Sequence, residues 1–126
     1  MIMIEKISTD KAASAIGPYS QATVHSGMVF TSGQIPINPE SGSIDAEGIV
    51  AQTEQVMKNL SAGLSAAGSS FDKAIKTTCF LADMADFAQF NEVYAKYFSS
   101  KPARSCVAVK ALPKGALVEV EVIAAI

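Results

Sequence analysis

Apolar residues recur along the chain at two periods, and the switches between them divide it into strands and helices. From about Glu47 to Ala67, the residues Ile49, Thr53, Val56, Leu60 and Leu64 fall three and four apart, which is one helical stripe. Asp45 is placed to cap its start and Gly68 to stop it. Gln52, Gln55, Lys58 and Asn59 fall on the side expected to face water. A stripe this broad has to cover a sheet. A second helix is predicted from about Phe87 to Phe98, with Asp86 and Gln89 spaced as a capping box. Phe87, Phe90, Tyr94 and Tyr97 follow its period and read as a core stripe before an aromatic platform, with Asn91 near the stripe's edge.

Elsewhere the period is two. Residues 1–7 alternate weakly, as an edge strand would, and Ala22–His25 with Met28–Thr31 flank Ser26-Gly27 as a hairpin. Lys73–Ala82 puts Ile75, Thr77, Cys79 and Leu81 on one face, where Cys79 reads as a small core residue. Pro102–Val109 and Leu117–Val122 alternate on either side of Pro113-Lys114-Gly115, and are expected to close the chain as a hairpin. If even residues pair with odd, Arg104 and Cys106 share a face with Glu119 and Glu121. A slip of one sets them over Val118, Val120 and Val122 instead. The first register gathers a guanidinium, a thiol and a carboxylate, or else makes only a surface ion pair. The order strand, strand, strand, helix, strand, helix, strand, strand predicts an α+β fold, two helices on one face of a mainly antiparallel six-stranded sheet.

Two loops stand out. In Ile16-Gly17-Pro18-Tyr19-Ser20-Gln21-Ala22 the Gly-Pro pair continues neither a helix nor a central strand, so the loop is fixed and presents Tyr19. The ring either packs with its hydroxyl at the rim or closes a pocket, on a neighbouring subunit if the chain is an oligomer. In Ser32-Gly33-Gln34-Ile35-Pro36 a glycine at a strand end admits close approach by a neighbour or ligand, or marks a simple bulge.

Composition narrows the class. At 126 residues the chain is one domain, 1–126, able to bury about two-thirds of its unfolded surface. Apolar residues make up 49% and charged ones only 17%, against about 25% charged in an average soluble domain. That deficit, with the apolar ending Ile123-Ala124-Ala125-Ile126, predicts a homo-oligomer whose other sheet face is covered by further copies. The net charge is −2 and the lysines are scattered, so no basic field draws nucleic acid. No run approaches the ~18 apolar residues of a membrane helix, and Met1-Ile2-Met3-Ile4 is too short for a signal core. Two cysteines without a signal imply free thiols and a cytoplasmic location. One histidine and two cysteines without close spacing predict no metal site. Phosphate-loop and dinucleotide glycine motifs are absent, so no cofactor is expected. His25, just before Ser26-Gly27, is expected in an exposed turn.

Taken together and in order, several pieces make a specific pattern. They are Ile16–Ala22, Ser32–Pro36, Asn91-Glu92-Val93-Tyr94, Pro102-Ala103-Arg104-Ser105-Cys106-Val107 and Leu112-Pro113-Lys114, with Glu119 twelve residues beyond Val107. The chain resembles the Rid family of reactive-intermediate deaminases, also called YjgF-like, over nearly its full length. The Arg-containing piece resembles the branch with deaminase activity. The resemblance implies a chorismate-mutase-like homotrimer with clefts between subunits. It also implies cofactor-free hydrolysis of 2-imino acids, such as 2-aminoacrylate/2-iminopropanoate and 2-iminobutanoate, to 2-keto acids and ammonia. On the matching positions Arg104 would hold the substrate carboxylate, and Glu119 with the backbone at Cys106 would position a water. Tyr19, Ser32, Gly33 and Asn91 would line the cleft. The chain departs from the pattern at Ala108, where many relatives are acidic, and at Val120, where isoleucine is common.

These residues suit that chemistry. A guanidinium binds a carboxylate through two parallel charge-assisted hydrogen bonds, which fixes orientation as well as charge. A carboxylate within reach of a water can accept its proton as the water adds to the C=N carbon. Arg104 two residues away would lower the Cys106 pKa and make it reactive, or Cys106 acts through its main chain and as cleft-wall packing. Arg104 alone equally serves a non-catalytic binder of small carboxylates. A ribonuclease or translation inhibitor fits poorly with the acidic balance, one histidine and no aromatic-basic surface.

Overall fold

The computed structural model describes residues 2–126. In chain order the elements are β1 (Glu5–Ile7), β2 (Ala22–His25), β3 (Met28–Thr31), α1 (Gly48–Ala66), β4 (Ala74–Leu81), α2 (Phe87–Tyr97), β5 (Ala103–Ala108) and β6 (Val118–Ala125). This is the order that the two periods predict; the first strand is shorter than the expected 1–7, of which Met1 lies outside the described residues. The β2–β3 hairpin turns through Ser26 and Gly27 at φ of 50° and 75°, a primed turn whose twist matches that of the strands it joins.

The final hairpin does not form. The six strands run β1-β2-β3-β6-β4-β5, so β4 lies between β5 and β6. β4 pairs antiparallel with β6 and parallel with β5, which makes the sheet mixed. The cause is α2: a strand, a helix and a second strand form a crossover unit, and such a unit returns the chain parallel to the strand it left. Residues 109–117 then carry the chain past β4 instead of making a tight turn. Neither hairpin register applies, but the faces resolve. Arg104 and Cys106 stand opposite Thr77 and Cys79, which stand opposite Val122 and Val120. The guanidinium and the thiol therefore lie on the valine face, while Glu119 and Glu121 lie on the other.

Both helices cover the valine face. Ile49, Val56, Leu60 and Leu64 of α1 and Phe90 and Tyr94 of α2 meet Cys79, Leu81, Val118, Val120 and Val122 in one core. Glu54 of α1 ties the helices together, accepting from Lys96 Nζ at 2.6 Å and from the Tyr97 hydroxyl. Two residues expected in water are buried instead. Gln52 accepts from the Leu117 N–H at 2.9 Å, and Asn59 donates to the carbonyls of Ile35 (3.2 Å) and Ile37 (2.9 Å). Each satisfies loop backbone that the core hides from water. Gly68, at φ of 83°, ends α1 as expected, but the expected N-terminal caps are absent. Asp45 takes Asn38 and Ser41 as partners in its loop, Asp86 makes no cap bond, and Asp83 caps the single 3₁₀ turn before α2. Ile75 is exposed because the register with β6 shifts between Ala74 and Lys76. No helix among the described residues is long and apolar enough to cross a membrane. The sheet's second face, carrying Glu119, Glu121, Lys76, Thr78 and the exposed Val107, has no helix over it among the described residues.

Candidate functional site

The residues expected at the site fall into two groups on opposite faces of the sheet. The first surrounds Glu119. Its loop, residues 8–21, is held from inside by Gln21. That buried amide accepts from the Thr9 N–H at 2.7 Å and donates to the carbonyls of Thr9 (3.0 Å) and Ala13 (2.7 Å). Ser32 fixes the loop's end, its hydroxyl donating to the Ser20 carbonyl at 2.6 Å and its N–H to the Gln21 carbonyl at 2.9 Å. The hydroxyl proton of Ser32 is thus engaged in presenting Tyr19, whose ring stands exposed. Two residues on, Gln34 and Val120 exchange backbone hydrogen bonds of 2.9 and 3.2 Å, which presses Gly33 against Glu119. A Cβ at Gly33 would stand 2.2 Å from Glu119 Oε2. Close approach, not a simple bulge, is what this glycine serves. Tyr19, Ser32, Gly33, Ile35, Pro113, Glu119 and Glu121 line an open depression of about 460 Å³. Burial first, and the nearby Glu121 second, push the Glu119 carboxyl above the ordinary carboxylate range.

The second group surrounds Arg104. Along α2, Phe87, Asn91 and Tyr94 fall at i, i+4 and i+7 and present one face to the edge strand β5. Arg104 Nη1 donates to Asn91 Oδ1 at 2.7 Å. The guanidinium carbon lies 4.8 Å from the Tyr94 ring centre and 5.5 Å from that of Phe87, within cation–π range of both. The one ion pair among the described residues is Lys96–Glu54, so no carboxylate of the chain occupies Arg104. A groove of about 360 Å³ adjoins it, lined in part by Asn91, Tyr94, Phe98 and Pro102.

Cys106, half-buried, lies two residues along the same face. Burial raises its pKa, and Arg104 offsets this only in part. The neighbouring Cys79 is pushed up to about 12, again by burial foremost. Both therefore stand as thiols at neutral pH, which favours cleft packing over a reactive thiolate for Cys106. His25 is exposed, its Nδ1 2.9 Å from the Met3 carbonyl. Among the described residues no group of three or more His, Cys, Asp or Glu side chains could hold a metal ion.

Within one chain, then, Tyr19, Ser32, Gly33 and Glu119 come together, and so do Arg104, Asn91 and Cys106, but the two groups do not meet. Phe87, Tyr94, Pro113 and Glu121 join them, although the resemblance assigns none of the four to the site. Helical spacing had already assigned the two aromatics to the core, and the alternation of β6 had placed Glu121 beside Glu119.

The sequence pattern of the family described as endoribonuclease L-PSP matches residues 9–126. The chain belongs to this family, that of the Rid proteins. Among its relatives, a Lactococcus lactis protein named as the regulator AldR is 54% identical over 119 residues, covering 94% of each chain. The mouse protein named 2-iminobutanoate/2-iminopropanoate deaminase is 48% identical over 124 residues, 98% of this chain and 92% of that one. The crystal structure of Escherichia coli TdcF with bound serine superposes with a TM-score of 0.91 at 44% identity, covering 97% of this chain and 98% of that one.

Proposed function

We propose that this Rid protein hydrolyses 2-imino acids and their enamine tautomers to 2-keto acids and ammonia without a cofactor. The observation that carries the proposal is Arg104: a guanidinium held by Asn91 and two rings, with no carboxylate of its own chain on it. A ligand carboxylate would satisfy it through two parallel hydrogen bonds. The family's deaminase-named members agree with this choice of ligand.

Arg104 and Glu119 lie on opposite faces of one sheet, so a working site needs two chains. In the proposed homotrimer, the Arg104 group of one subunit faces the Tyr19, Ser32, Gly33 and Glu119 group of the next. The sheet face without a helix layer becomes the surface against which neighbours pack. With the substrate carboxylate on Arg104, Glu119 takes a proton from water as its oxygen bonds to the C=N carbon. The protonated imine thereby becomes a neutral carbinolamine, which receives that proton on nitrogen; the C–N bond breaks with its electrons leaving on ammonia, and the hydroxyl proton passes through Glu119 to the departing ammonia, so that C=O and ammonium remain. A carboxyl with a raised pKa suits both halves of the exchange, since it binds the proton firmly and is nearer neutrality when it releases it. Free imines hydrolyse in water already, so positioning supplies the acceleration and no covalent nucleophile is required.

The test is to generate 2-aminoacrylate in situ and follow keto-acid release. Arg104→Ala is expected to keep its fold and assembly and to lose the acceleration; a rate equal to that of the wild type would remove the reading. The name of the AldR relative favours a second reading, a carboxylate-binding regulator using the same guanidinium. The two part at Glu119→Gln. A hydrolase variant binds pyruvate but no longer turns over, whereas a regulator has no turnover to lose.

A further inference from the structure

We infer that Tyr94 is a positioning residue for Arg104, which it holds flat while anchored to Thr77, so that one edge of the guanidinium is kept for a bound carboxylate. The ligand in this inference rests on the imine-hydrolase reading; the geometry does not. Thr77 and Arg104 are register partners on β4 and β5. Tyr94 reaches down from α2 to both of them. Its hydroxyl oxygen lies 2.8 Å from Thr77 Oγ1 in a buried hydrogen bond, and its ring centre lies 4.8 Å from the guanidinium carbon. The three corners of the triangle come from three different elements.

The ring has little freedom of its own. Phe98 stacks on it at 4.5 Å and Phe90 tilts against it at 5.6 Å, while Thr77 pins its far end. A cation stacked on a fixed ring is fixed in plane. Asn91 then takes Nη1, which settles rotation within that plane. The edge formed by Nε and Nη2 makes no hydrogen bond among the described residues, and its two parallel N–H groups match a carboxylate. Burial pushes the Tyr94 phenol up, so the ring stays neutral and does not become an anion competing for Arg104. A residue that only filled core would need neither the hydroxyl bond nor the stack.

Arg104 is the only arginine in the sequence, so its side-chain nitrogen signals are assigned without ambiguity. In ¹⁵N-arginine-labelled protein, the wild type is expected to show slow guanidinium rotation, with separate Nη signals. Tyr94→Leu is expected to merge them. Its KM for imine and its Kd for pyruvate should each rise about tenfold, the loss of one desolvated cation–π contact, with kcat within about twofold. Tyr94→Phe, which keeps the ring, recovers most of the affinity. Unchanged Arg104 signals and unchanged pyruvate affinity in Tyr94→Leu would overturn the inference, as would a fall in kcat at constant KM. Should Tyr94→Leu fail to fold, Thr77→Val removes only the anchor. It should speed guanidinium rotation and weaken pyruvate about threefold; signals like those of the wild type would refute the anchoring. If the wild type neither binds pyruvate nor turns over imine, the hydrolase reading falls, and the guanidinium signals alone still decide the role of Tyr94.

Discussion

Gly33 is absent from the residues with positive φ, so its backbone admits alanine. What alanine would collide with is Glu119, whose Oε2 lies 2.2 Å from where the added carbon would stand. The carboxylate is the mobile end of that contact and would swing aside. Gly33→Ala is therefore expected to fold normally and to lose about a hundredfold in turnover through misplacement of one oxygen, read by steady-state kinetics beside a melting curve. Glu119 itself offers a test with a sign. Its raised pKa means that the folded chain holds the proton more tightly than the unfolded one. The resulting stability is fully present below the ordinary value of 4.5 and is lost as pH rises through the folded value. Glu119→Gln, neutral throughout, should melt above the wild type at neutral pH, with the advantage gone in acid, while turnover disappears. A melting temperature equal to that of the wild type at neutral pH would show that the carboxyl is not strained by its surroundings. Gly33 and Glu119 are both candidates that the chain's motifs name. Their contact was not, because it joins the end of β3 to β6 through the one backbone bridge at Gln34 and Val120.

At the scale of elements, the alternation and the helical stripes named every strand and helix in order, since each reflects which side of a segment is buried. The same patterns did not settle neighbours. β5 and β6 alternate as a hairpin would, and only α2, entering between β4 and β5, dictates that β5 runs parallel beside β4. Buried polar residues escaped for a related reason. Gln52 and Asn59 sit inside because loops need their amides, and periodicity registers hydrophobicity alone. The tie between α1 and α2 can be measured. Lys96 first, and Tyr97 second, hold the Glu54 carboxyl below its usual range. Its contribution is present above the ordinary value and is lost as pH falls through the folded one. The pair is partly exposed, with 62% and 28% of the two side chains accessible, so Glu54→Gln should cost less than about 1 kcal/mol in urea unfolding. That difference should vanish in acid; one that persisted there would assign the effect to packing.

For the whole molecule, the separation of Arg104 from Glu119 makes a prediction that no single-chain site would meet. Arg104→Ala and Glu119→Gln are each expected to be inactive alone. Unfolded together in equal amounts and refolded, they should recover about a quarter of the wild-type rate, the share of junctions in a random closed ring that receive both intact partners. No recovery from folded, fully assembled mixtures would mean that the two side chains do not serve one site. Sedimentation of the wild type should give three chains per particle. The low charge raises the expectation of association in the sequence, but which residues a partner would bring together depends on sheet faces that only the strand order settles.

In the proposed trimer, placing the acid on one side of a six-stranded layer and its cationic counterpart on the reverse would tie chemistry to closure. An open pair of chains would contain one finished crevice and two orphaned halves, and a solitary chain none. Specific activity should consequently fall on dilution before any helix melts, so that assembly itself becomes the on-switch.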